Sequence, residues 1–264
     1  MSTTVTRVAP ARAIRLRPRA TAAIVLACGA GLLAFCWPLF VTDRSVLATN
    51  TEAPLVLGLL LPAVLAVVLF EIAEGGLDPK AVALLGVLSA VGAALRPLGA
   101  GTAGIETVFF LLVLAGRVFG AGFGFVLGAT TLFGSALITG GVGPWLPYQM
   151  LGAALVGLGA GLLPRASGRI ELALLVVYGF VSGLVYGVLL NLSFWPFGVG
   201  SGTDLSFVAG APIGQNLHRF LVFSLSTSLG WDLVRGITNA VLIALTGPAV
   251  LATLRRAARR AAFR

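Results

Sequence analysis

Apolar stretches of roughly helix length alternate with short polar breaks along the whole chain. They fall at Thr21–Val41, Pro54–Ala73, Ala81–Leu95, Ile105–Gly116, Val118–Thr139, Tyr148–Leu163, Ile170–Asn191 and Phe220–Leu245. The runs are continuous rather than alternating, which predicts helices and argues against a transmembrane β-barrel. A membrane-spanning helix needs about 20 mostly apolar residues. The fourth run is short for a span on its own, and is read as a full crossing, a half-helix or a re-entrant segment.

Composition fixes the solvent these helices need. Of 264 residues, 58% are hydrophobic and 10% are charged, and mean hydropathy is +1.02. Soluble domains carry about 25% charged residues, and disorder requires low hydrophobicity. The chain therefore belongs in lipid. The start resembles a signal peptide, but Thr21–Val41 exceeds a 7–15 residue signal core. No small-residue cleavage site follows it, so it is read as a retained helix.

Charge supplies the topology. There are 18 Lys+Arg against nine Asp+Glu, a net charge of +9. Ten arginines lie in the tails: Arg7, Arg12, Arg15, Arg17, Arg19, Arg255, Arg256, Arg259, Arg260 and Arg264. Basic tails beside apolar spans read as topology signals rather than a nucleic-acid surface. Eight crossings put both tails, Lys80, Arg117, Arg165 and Arg169 on one side. Arg44, Arg96 and Arg219 then lie on the other, and Arg235 lies within a span. That asymmetry is the positive-inside pattern. The expected architecture is an all-α membrane protein with eight transmembrane helices, multi-pass in a bacterial plasma membrane, both termini cytoplasmic. The expected units are a basic tail (1–20), two N-terminal helices (21–79), a six-helix membrane domain (80–246) and a second basic tail (247–264).

Candidate chemistry concentrates in the outer loops. Arg96–Gly104 reads RPLGAGTAG and Gly140–Pro147 reads GGVGPWLP. Leu192–His218 is the longest break, and its Gly, Ser and Pro content argues against helix. Its Trp195 and Phe197 also suit an interfacial aromatic belt. Trp145, Tyr148, Gln149, Asn191, Asn216, His218, Trp231 and Asn239 would line one outward-facing cavity with aromatic and hydrogen-bonding groups, the character of a small-molecule pocket. Glu106 opens the fourth run, where a carboxylate also favours the helix dipole. Asp232 and Arg235, three apart, share a face and can neutralise each other.

Glycine, at 35 residues, recurs every fourth position at Gly116, Gly120, Gly124 and Gly128, at Gly157 and Gly161, and at Gly179, Gly183 and Gly187. That spacing lets helices approach closely in lipid. Gly86, Ala90 and Ala94 form a further small stripe, which could face the same chain or another protein.

Enzyme readings find little support. Ser135 and the lone His218 lack an oxyanion donor set for an intramembrane serine protease. Asp232 has no intramembrane aspartate partner. No Walker loop is present, so the chain does not itself hydrolyse ATP. No Cys/His cluster suggests a metal, and no cofactor is expected. Cys28 and Cys36 read as small hydrophobes in the first run.

The order of features from Lys80 onward resembles the substrate-binding (S) component of an energy-coupling factor (ECF) vitamin transporter. The residues that carry the likeness are Lys80-Ala81-Val82-Ala83-Leu84-Leu85-Gly86 with Ala90-x-x-x-Ala94, then RPLGAGTAG followed by IETVFFLLVLAGRVFG. The glycine-rich turn Ala115–Gly124 and Gly141-Val142-Gly143-Pro144-Trp145-Leu146-Pro147 leading into Tyr148-Gln149-Met150-Leu151-Gly152 complete it. Some similar proteins fall near a cobalamin-type branch. The resemblance implies a membrane subunit that binds a vitamin-like small molecule at the outer face, without enzymatic activity. It would deliver the solute with a coupling (T) protein and two cytoplasmic ATPases. It implies Gly86, Ala90 and Ala94 as the coupling face. It implies Arg96, Glu106, Trp145, Tyr148, Gln149, Asn191, Trp195, Asn216 and Trp231 as ligand contacts, with a cobalamin-like compound as one candidate. Two extra helices before the six-helix core depart from the family pattern. A self-contained secondary transporter or channel and a membrane assembly factor without a solute are the alternatives.

Overall fold

A computed structural model describes residues 17–42, 66, 78–99, 102–198 and 202–261. The regular structure of the described residues is all helical, without strands. The helices are α1 (Pro18–Phe35), α2 (Pro79–Leu95), α3 (Phe109–Phe119), α4 (Ala121–Thr139), α5 (Leu146–Leu162), α6 (Gly168–Gly198), α7 (Ile213–Phe223) and α8 (Leu229–Ala261). One π-helical turn, Ser224–Ser228, joins α7 to α8. Among the described residues, five helical stretches are long and apolar enough to cross a membrane: Pro18–Phe35, Pro79–Gly99, Ala121–Thr139, Gly168–Gly198 and Ile213–Ala261. The expected second span, Pro54–Ala73, lies outside the described residues, apart from Ala66.

Local signals explain the helix ends. Asp78 caps α2 by accepting from the Lys80 backbone N–H at 2.8 Å, and Pro79 opens the helix, where its missing N–H costs nothing. Gly120, at φ 96°, turns α3 directly into α4. Gly140, at φ 66°, ends α4 in the left-handed conformation that glycine tolerates best.

α3 is the central element. Residues 109, 111–116, 118 and 119 are buried on all sides, against α4, α5, α6 and α8. At 11 residues it rises only about 16 Å, half of a 30 Å hydrocarbon core. It begins at Phe109, not Ile105, so the fourth apolar run is a short buried helix entered by a non-helical segment.

The glycine rows account for the close packing, with one correction. Gly116 lies on α3, Gly120 in the turn, and Gly124 and Gly128 on α4, so this row is not the stripe of one helix. All the same, a Cβ at Gly116 or Gly124 would strike the Gly157 carbonyl of α5, and one at Gly128 would strike that of Ala153. Gly179, Gly183 and Gly187 of α6 receive Ile243, Gly236 with Asn239, and Asp232 with Arg235 of α8. On α2, Gly92 and Ala93 are buried. Gly92 meets the Thr131 side chain, and Ser89 shares a 2.7 Å hydrogen bond with Thr130 of α4. Gly86, Ala90 and Ala94 are exposed on this same helix.

α1 belongs to the bundle. Ala20, Ile24, Ala27, Gly31 and Phe35 form its buried stripe. The Phe35 ring meets Tyr148 edge-on at 5.4 Å. The break expected over Leu192–His218 is shorter, because α6 stays helical through Pro196 to Gly198 and α7 starts at Ile213. Pro196 sits in the final turn, where its missing N–H forfeits the bond to the Leu192 carbonyl and the helix ends two residues later. α8 likewise continues through the expected second tail as far as Ala261.

Candidate polar site at one end of the bundle

The polar side chains gather at two opposite ends. At one end, Arg117 Nε donates to Glu171 Oε1 at 2.8 Å, and Arg255 Nη2 donates to both Glu171 oxygens at 2.7 Å. Arg117 also donates to the carbonyls of Leu163 and Pro164, each at 3.0 Å. Lys80 Nζ donates to the Ala261 carbonyl at 2.8 Å. One carboxylate thus ties α3, α6 and α8 together. Arg165, Arg169, Arg256, Arg259 and Arg260 are exposed around the same end.

The second cluster lies where α2 and α6 end and α8 begins. From Lys80 to Arg96, α2 rises about 24 Å, and from Asp232 to Arg255, α8 rises about 35 Å. The separation of the clusters is therefore close to a bilayer core of about 30 Å.

Arg235 organises this second cluster. Its Nε donates to Glu106 Oε2 at 3.0 Å and its Nη1 to Asp232 Oδ1 at 2.5 Å. Its guanidinium carbon stands 5.5 Å from the centre of the Tyr186 ring, a cation–π distance. Asn191 Nδ2 donates to Asp232 Oδ2 at 3.3 Å. Side-chain exposure is 12% for Arg235, 7% for Asp232 and 26% for Glu106, so the ion pairs are held mostly away from solvent. Gly187 leaves the space that Asp232 and Arg235 occupy.

Arg96 forms the other half. It is the C-cap residue of α2, where a cation complements the helix dipole. Its Nη2 donates to Gln149 Oε1 at 3.2 Å, and its Nη1 makes a long 3.5 Å contact to Ser135 Oγ. Both partners are neutral. No carboxylate among the described residues lies within 4.0 Å of it. Thr107, next to Glu106, donates to the carbonyl of Leu95, next to Arg96, at 2.6 Å, and this bond joins the halves.

Of the nine candidate ligand contacts, Arg96, Glu106, Gln149 and Asn191 enter this cluster. Glu106 sits two residues before the N-cap of α3, and its partner is Arg235 rather than the helix dipole. Tyr148 is buried at the start of α5, between Phe35 and Phe194, and its hydroxyl has no hydrogen-bond partner. Trp145 is exposed and donates to the Gly141 carbonyl at 3.2 Å. Trp231 is half-exposed on α8, with Gly104 against its backbone carbonyl. The remaining two hold the loop between α6 and α7. Trp195 is 1% exposed, donates to the Leu205 carbonyl at 2.7 Å, and packs on Phe207 and Phe220. Asn216 brackets Val208, accepting from its N–H at 3.2 Å and donating to its carbonyl at 2.8 Å. Trp37 of the α1 end joins this group by donating to the Ser193 carbonyl at 2.9 Å.

Sequence reasoning did not single out Tyr186, which stands alone in an apolar run, although the flanking Gly183 and Gly187 mark the close helix approach around it. It weighed Ser135 only as a nucleophile. Ser135 is fully buried and faces the Arg96 guanidinium, while His218 is exposed on α7.

No family model, no curated protein and no solved structure matches the chain.

Proposed function

We propose that this chain is the solute-binding membrane subunit of an importer of the ECF type. In this reading it crosses the membrane eight times, with the Arg117–Glu171–Arg255 end in the cytoplasm. Thr42 follows the α1 end, whose Val41 carbonyl accepts from Gly210 at 3.2 Å, and Asp78 starts α2 at the opposite, basic end. One crossing between them keeps both tails on the basic side, as the positive-inside rule asks. A vitamin or related micronutrient binds at the outer end, and a coupling protein with two ATPases drives its release inward. The exposed row Gly86, Ala90 and Ala94 is the face offered to the coupling protein, since α2 packs within the chain through Gly92 and Ala93 instead.

The observation that carries this reading is the convergence at one end of Arg96, Glu106, Gln149, Asn191, Asp232 and Arg235 from five separate elements. Charged groups inside membrane helices are expensive and mark solute or ion paths by default. The test is gentle purification followed by mass spectrometry of retained small molecules and proteins. A stoichiometric vitamin and a co-purifying coupling protein are expected, and a red chromophore would identify a corrinoid. Vitamin uptake unchanged on deleting the gene would refute the proposal.

One observation favours a self-contained transporter. Asn239 is fully buried on α8, and neither amide atom has a partner. It lies about 10 Å along the helix from Asp232, toward the depth where secondary transporters hold their substrates. Uptake that persists without any ATPase would favour this reading.

A further inference from the structure

We infer that the solute bound at this end is anionic, and that its carboxylate or phosphate oxygens pair with Arg96. The inference rests on the solute-binding reading above and adds the chemical class of the solute. It follows from how the charges pair rather than from their sum, which is zero. The cluster holds two guanidinium groups and two carboxylates. Both carboxylates bond to Arg235, and Asp232 takes a further bond from Asn191. Arg96 is left with a neutral amide and a neutral hydroxyl, which solvate its N–H groups without balancing the charge. The α2 C-terminus offsets part of it, equivalent to about half a charge.

The geometry suits an incoming anion. A guanidinium presents five donors in a planar fork that fits carboxylate and phosphate oxygens in pairs. Gln149 and Ser135 use two of these donors. They hold the group between α4 and α5, and Ser135 is fully buried. One residue before Gln149, the buried Tyr148 hydroxyl has no partner. One turn further along α5, Gly152 lies against the Tyr186 ring. Arg96 thus lacks a paired counter-charge, which an anion supplies.

The test uses the full chain in uncharged maltoside micelles, with thermal unfolding read by tryptophan fluorescence. The probes are acetate, benzoate and inorganic phosphate, with acetamide and benzamide as neutral counterparts and chloride at matched ionic strength. Phosphatidylglycerol forms a separate arm. The expected result is saturable stabilisation by a carboxylate or phosphate probe beyond that of chloride and of the amides. In Arg96→Gln the half-saturating concentration rises about ten- to a hundred-fold, the range for losing a charge-assisted hydrogen-bonded pair, with Arg96→Lys in between. If Arg96→Gln does not fold, the wild-type preference for anions over amides still decides. Equal stabilisation by amides, or an unchanged response in Arg96→Gln, overturns the anionic class while solute binding stands. Stabilisation by phosphatidylglycerol alone overturns it in favour of a lipid headgroup. No response to any probe also overturns it, and the solute-binding reading is then decided separately by its own retained-molecule and co-purification test.

Discussion

Replacing Gly157 by alanine separates close packing from helix propensity, because the two act in opposite directions. In an exposed helix, Gly→Ala stabilises by about 0.5–1 kcal/mol. At Gly157 the added methyl would stand 2.6 Å from the Gly124 carbonyl carbon and 3.0 Å from its Cα, where ordinary contact begins at 3.4 Å. Both obstacles are backbone, so no side chain can rotate away. α4 and α5 must move apart by roughly 1 Å, and overpacking of this kind costs about 1–3 kcal/mol. With the obstacle on backbone the upper part of that range applies, and the net effect is a destabilisation of about 1–2 kcal/mol. Gly29→Ala is the control, because nothing lies within 4 Å of a Cβ there. It is expected to leave stability unchanged or raise it by up to about 1 kcal/mol. The assay is reversible unfolding in mixed dodecyl sulfate and maltoside micelles, followed by circular dichroism. Gly124→Ala combined with Gly157→Ala should cost less than the sum of the two, since the first already opens the shared gap. A Gly157→Ala protein as stable as the parent would refute the close approach of α4 and α5.

Arg235→Met leaves Glu106 and Asp232 without their cation and should destabilise by about 3 kcal/mol in the same assay. Adding Glu106→Gln and Asp232→Asn should recover part of that loss, and no recovery would argue against the ion-pair network. Glu171→Gln, which weakens both arginine contacts at the basic end, is expected to lower stability by about 2 kcal/mol, with a smaller loss in an Arg255→Met background, where one contact is already gone. Asn216→Leu removes both bonds to Val208 and should speed proteolytic cutting between α6 and α7 several-fold while changing global unfolding far less. In a chain with Cys28 and Cys36 replaced by alanine, Thr203→Cys should react with an impermeant maleimide in intact cells, and Ser167→Cys only after lysis; the reverse pattern would invert the proposed topology.

Local spacing made part of this site legible. Asp232 and Arg235 are three residues apart on one helix, so their pairing follows from helical geometry alone. Glu106 is 129 residues from Arg235, and no periodicity announces a partner at that range. The apolar runs located most of the described helices, but α8 runs on to Ala261, well past Leu245. Pro196 reads as a break yet lies in the last turn of α6, whereas the glycine-rich turn expected over Ala115–Gly124 does fall at Gly120. Trp195 and Asn216 have the chemistry of ligand contacts, but the loop between α6 and α7 carries backbone groups that need partners once buried, and these two side chains supply them. On α2 the reason is different. A helix that is apolar on every side has no polar face to orient it, so only its neighbours distinguish buried Gly92 from exposed Gly86.

The two ends also differ in what holds their charges, and the proposed solute site rests on that difference. At the basic end one carboxylate is shared by two arginines, and five further arginines on described helices and loops are exposed, where water or lipid phosphate satisfies them. Such charges set topology and need no defined partner. At the opposite end each charge is largely withdrawn from solvent, and its position depends on specific neighbours across α2, α5, α6, α8 and the segment before α3. A charge of that kind contributes little stability for its desolvation cost. Four of them in one place are hard to explain by packing, since apolar residues at those positions would hold the helices as well. The proposed binding role would account for them, because a site built of fixed charges and dipoles recognises a polar solute without first having to order its own groups.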